Sequence, residues 1–150
     1  MKRILFVCYG NICRSPMAEF IMKDIIEQAG KSDDYYVESA ATSGENIGWG
    51  VYGPARQEIE DHGLDCSEKT ARCICPKDYE NFDLIVGMDS QNIANMRREF
   101  GGDPDGKIKK LLEYAGDTND VADPWYTRDF AKTWDDISRG CGAMAKELEI

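Results

Sequence analysis

Histidine is almost missing from this sequence: His62 is the only one in 150 residues. Cysteine pairs at zinc-binding spacing are missing as well, since Cys66, Cys73 and Cys75 never form a C-x2-C. These two absences exclude a structural zinc held by cysteine and histidine, and no metal or other cofactor is expected. No run of 18 apolar residues occurs, which excludes a helical membrane span. The opening Met1-Lys2-Arg3 and the four apolar residues before Cys8 are too short for a secretory leader. Positive charge is scarce: 18 lysines and arginines face 28 acids, for a net charge of −10. So acidic a surface argues against nucleic acid or a membrane as partner. Internal repeats, low-complexity segments and linkers are absent too, so residues 1–150 are read as one domain.

What is present suits a soluble globular protein. A hydrophobic content of 42% is enough for a full-sized core. Six cysteines, at 8, 13, 66, 73, 75 and 141, allow three disulfides on paper. Without a leader, and with a core that needs no staples, reduced thiols and a cytoplasmic location are expected. That expectation has no bearing on export by an unconventional route.

The chain is organised around Cys8-Tyr9-Gly10-Asn11-Ile12-Cys13-Arg14-Ser15-Pro16. Ile4-Leu5-Phe6-Val7 before it reads as a buried strand. Pro16 after it opens a helical pattern, with Met17, Phe20, Ile21 and Ile25 on one face. A cysteine thus stands at the carboxyl end of a strand, before a tight loop and a helix start, where open α/β sheets bind ligands. The helix N-terminus attracts anions through its free N–H groups. Gly10 and Asn11 tolerate the backbone angles that curl loop amides into an anion nest. Arg14 adds a planar fork for phosphate oxygens. Cys8 then lies in an electropositive cup that favours the thiolate, and Ser15 can donate a hydrogen bond to it.

Cys-x5-Arg-Ser near the N-terminus, with Gly-Asn inside and Ser-Pro following, resembles the phosphate loop of the low-molecular-weight protein tyrosine phosphatases. The resemblance implies a single-domain, doubly wound α/β fold: a parallel four-stranded sheet with helices on both faces. It implies hydrolysis of protein phosphotyrosine or aryl phosphates through a cysteinyl-phosphate, with inorganic phosphate as product. Cys8 and Arg14 would be catalytic, and Tyr9, Gly10, Asn11, Ile12, Cys13, Arg14 and Ser15 would surround the phosphate. The resemblance also implies that His62, in its HG pair, supports Ser39 and Asn11 and so fixes the loop. It further implies that Cys13 traps an oxidised Cys8 as a reversible disulfide; the alternative is a small packed residue.

Further along, the pattern predicts a first helix over 17–29 and a strand over 35–41 that runs into the small residues of 39–44. Residues 44–53 are a glycine-rich loop whose Trp49 and Tyr52 either wall a cleft or fold back onto the core. A second helix is expected from Pro54 to His62, irregular chain over 64–81 with a short helix starting at 67–72, and a third strand over 82–88. Asp89 or Ser90 caps the next helix, through Glu99. A fourth strand over 107–112 and a last helix from 127 or 129 to 148 complete the chain. Strands alternating with helices point to a parallel sheet.

Val121-Ala122-Asp123-Pro124-Trp125-Tyr126 supplies the second half of the chemistry. A leaving phenolate needs a proton, and the same carboxylate can then activate water. The family carries such an Asp-Pro-aromatic-aromatic segment, which selects Asp123 over Asp117 and Asp120. Ile12, Trp49, Trp125 and Tyr126 are the expected substrate-cleft residues. A monomer is expected, with weak dimerisation through the aromatics left open. The chain departs from the family at Glu45, where a large residue is common, and at Tyr52-Gly53-Pro54-Ala55-Arg56. Three rivals share features of this pattern: an arsenate reductase, a protein-arginine phosphatase and a silent phosphopeptide-binding module. The first lacks its relay cysteines in 88–98, the second has Ile12 where that branch tends to carry threonine, and the third has no reason to keep nucleophile, arginine and acid together.

Overall fold

The first strand, β1 (Lys2–Cys8), sets the architecture. Side chains alternate between the two faces of a strand. Ile4 and Phe6 enter one core, Leu5 and Val7 another, and all four are fully buried. A strand buried on both faces belongs inside a sheet that helices cover on both sides. The structure, a computed structural model describing residues 1–150, places β1 there. Four parallel strands lie in the order β2-β1-β3-β4, with β2 at Tyr35–Ala41, β3 at Leu84–Gly87 and β4 at Ile108–Lys110. The chain is a single-domain, doubly wound α/β fold.

Helix α1 (Arg14–Gln28), α2 (Gly53–Asp61) and α6 (Phe130–Glu147) contribute to a cluster of 25 buried residues on one face. Short α3 (Lys77–Asn81) and α4 (Ser90–Phe100) contribute to a cluster of nine on the other. A single turn, α5 (Pro124–Thr127), precedes α6. β2 and β3 flank β1 on opposite sides, so the sheet reverses its winding at β1. The loop after β1 sits at that switch point, at the carboxyl edge where such sheets bind ligands.

Several elements differ from the sequence reading. α1 begins at Arg14, so Pro16 lies inside its first turn, where a missing N–H costs nothing. Residues 67–72 form no helix. Their backbone groups go elsewhere: Ala41 N donates to Arg72 O (2.7 Å), Ile74 N to Ala41 O (2.8 Å) and Ala71 N to Trp49 O (2.8 Å). An extended segment beside the end of β2 therefore replaces the expected turn of helix. β4 is three residues long and gives way to a 3-10 turn over Leu111–Ala115. There α6 comes so close that a Cβ on Gly140 would lie 2.5 Å from Leu111 Cγ.

Candidate active site

Cys8 is the last residue of β1 and is almost wholly buried. The loop behind it turns back because Asn11 adopts a left-handed backbone, φ 58°. That turn aims Asn11 N at Cys8 Sγ, 3.3 Å away. Ser15, in the first turn of α1, brings its hydroxyl to 3.0 Å from the same sulfur.

Asn11 also fixes where the protons lie. Its Nδ2 donates to Ser15 Oγ at 2.8 Å and to Ser39 Oγ at 2.9 Å, which uses both amide hydrogens. Ser15 thus accepts from Asn11 and is left with its own proton to donate to Cys8. Ser39 in turn donates to the buried Glu19 Oε1 at 2.5 Å. Glu19 is compensated by Lys23 at 2.6 Å and by the largely buried Lys69 at 3.5 Å. Lys69 also donates to Ser39 O, and burial lowers its pKa even though Glu19 opposes the shift. On the other side of Asn11, Oδ1 accepts from Arg72 N at 3.2 Å.

His62 has no part in this network, contrary to the sequence reading. Its ring is exposed at the C-terminal end of α2, with Nδ1 against Glu58 O at 2.9 Å. It stacks on Trp134 of α6 at 4.1 Å between centroids. Both of these partners, Glu58 within α2 and Trp134 of α6, lie outside the Asn11–Ser39 network, so the ring is held by its own helix and by α6. Glu19, Lys69 and Arg72 do the supporting expected of it.

Arg14 is buried beneath the loop. Nη1 donates to Asp89 Oδ2 at 2.7 Å and to Val121 O at 2.9 Å, and Nη2 lies 3.4 Å from Asp123 Oδ2. Three of five guanidinium hydrogens are so engaged, which leaves Nε–H and one Nη2–H as a bidentate edge for an oxyanion. Asp89 holds Arg14 with one oxygen and caps α4 with the other, which accepts from Asn92 N. Asp123 caps α5 through Trp125 N and keeps Oδ2 toward Arg14. Asp120 is instead paired with Lys110, and Asp117 with Arg139, so neither faces Cys8.

These groups open on one cleft of about 160 Å³. Cys8, Tyr9, Gly10, Ile12, Cys13 and Arg14 form its floor, Asp123, Trp125 and Tyr126 one wall, and Glu45, Asn46 and Trp49 the other. Trp49 and Tyr52 part company: Trp49 lines the cleft, while Tyr52 packs behind Trp125 at 4.8 Å between centroids.

A family model for low molecular weight phosphotyrosine protein phosphatase matches residues 3–150. The chain belongs to this family. It is 34% identical to the Bacillus subtilis low molecular weight protein-tyrosine-phosphatase YfkJ, over 99% of this chain and 97% of that one. The crystal structure of YfkJ superposes with a TM-score of 0.96, covering 99% of this chain and 95% of the other. The human low molecular weight phosphotyrosine protein phosphatase is 33% identical, over 97% of this chain and 95% of its own. The structure of DARP, a Drosophila arginine phosphatase, matches with a TM-score of 0.89 at 30% identity, over 100% of this chain and 99% of that one.

Cys13 lines the cleft beside Cys8 as a free thiol. Burial, and then the negative charge of Cys8, push its pKa far up, so it keeps its proton. The sequence reading missed four residues that hold this loop: Glu19, Lys69, Arg72 and Asp89. Only Asp89 carried a local signal, as a helix cap; the others become visible once β2 and the 69–74 segment lie side by side.

Proposed function

We propose that this family member hydrolyses phosphotyrosine in proteins, and aryl phosphates generally, in two steps. The Cys8 thiolate attacks phosphorus, forming the S–P bond as the bond to the phenolic oxygen breaks. Arg14 and the loop amides hold the remaining phosphate oxygens, which supplies positive charge from the protein itself. Asp123 gives its proton to the departing phenol. Water then attacks the cysteinyl-phosphate, Asp123 takes a proton from it, the S–P bond breaks and inorganic phosphate leaves. Ile12, Trp49, Trp125 and Tyr126 offer apolar and flat faces to the substrate ring. A reducing compartment such as the cytoplasm keeps the free Cys8 competent.

The observation that carries this reading is the convergence of Cys8, Arg14 and Asp123 on one cleft, with Ser15 placed to donate to the sulfur. The test is p-nitrophenyl phosphate turnover in the absence of metal. Wild type turns over, Cys8→Ser is inactive, and Asp123→Asn loses about a hundredfold or more in kcat. A reduced, folded wild type that leaves this substrate intact but hydrolyses phosphoarginine would assign the cleft to the arginine-phosphatase branch.

A further inference from the structure

Resting on the phosphatase reading, we propose that Glu45 makes the cleft selective for phosphotyrosine segments with a lysine or arginine beside the phosphorylated residue. Glu45 lines the cleft mouth, is exposed, and has no cation within ion-pair distance. The cations nearby are committed elsewhere. Arg14 lies between Asp89 and Asp123, and Arg128 donates to Tyr52 Oη at 3.0 Å while covering the rings of Tyr52 and Phe130.

The loop carrying Glu45 is fixed at both ends. Ser43 N donates to Tyr9 O at 3.0 Å, and Glu45 N to Ser43 Oγ at 3.1 Å. Asn46 sits against the phosphate loop so closely that a Cβ on Gly10 would lie 2.7 Å from its Oδ1. At the far end Trp49 N donates to Asn46 O, and Ala71 N to Trp49 O. The backbone thus holds an uncompensated carboxylate at the rim.

The field of the whole chain, at net charge −10, acts in the same direction. A phosphate dianion is drawn in only by the loop and Arg14; farther out it is repelled. A cation next to the phosphotyrosine meets Glu45 and reverses the sign of the encounter, whereas an acid there meets like charge.

The experiment compares two phosphotyrosine peptides that differ only in carrying lysine or glutamate on both sides of the phosphotyrosine. Binding is measured in a Cys8→Ser background, so the result is independent of turnover. The lysine peptide binds about fivefold tighter or more at low salt. This ratio falls at least twofold in Glu45→Gln and further in Glu45→Lys. It is unchanged in Asp33→Asn, which alters net charge equally in the turn before β2, at the amino end of the strand whose carboxyl end leads to Glu45. Equal binding of the two peptides, or the same ratio with Glu45 replaced, overturns the proposal. Inert wild type toward p-nitrophenyl phosphate would overturn the phosphatase reading instead.

Discussion

Asn11 does the work of several residues. An L-residue in the left-handed region costs about 1–2 kcal/mol, which glycine would avoid. The side chain offsets this with hydrogen bonds to Ser15, Ser39 and the backbone of Arg72. Asn11→Gly separates the two contributions, because it relieves the backbone and removes only the side-chain bonds. The melting temperature should fall by about 3–8 °C, and kcat by about tenfold or more as Ser15 loses its orientation. An unchanged kcat would mean that the loop holds its shape by backbone alone. At this scale the sequence was informative where chemistry is local. Cys8, Arg14 and Ser15 lie within eight positions, and Asp123 is marked by its proline and aromatics. His62 misled because an HG pair says nothing about the direction a helix end faces. Glu19 and Lys69 carry no local mark in the sequence, and only the fold brings them together beside Ser39.

Elements were legible in proportion to their length and periodicity. β1 and α1 carry strong patterns and were placed within a few residues. α3 has five residues and the 3-10 turn five, too few for a period to emerge. The charged stretch 67–72 suits a helix in isolation, but the open edge of β2 offers its backbone better partners. α6 supplies a clean test of packing between elements. Gly140 lets it close on Leu111, and a methyl group there would lie well inside contact distance. Gly140→Ala should therefore destabilise the fold by about 1–3 kcal/mol despite alanine's higher helix propensity. A higher urea midpoint for this variant would show that the 3-10 turn yields freely.

For the molecule as a whole, several buried acids set an alkaline limit. Burial pushes the thiols of Cys13 and Cys141 far up, and pushes Tyr114 up to about 12, with Glu147 and Glu113 adding to the last. Each keeps its proton in the fold at pH values where the unfolded chain releases it. The folded state then binds more protons, so stability falls as pH rises above the ordinary thiol value of 9.0. Each thiol contributes about 1.4 kcal/mol per pH unit. Urea midpoints measured from about pH 8 to about 10.5 should drop steadily, and less steeply in Cys141→Ala. A flat profile would refute this account. The span of the bonds at Arg14 has a consequence in time. Its partners lie 75, 107 and 109 positions along the chain. Bonds that close such long loops gain nothing until most of the chain is already in place. Recovery of turnover after dilution from denaturant should then trail the return of helical signal, making catalysis a stopwatch for the last step of folding.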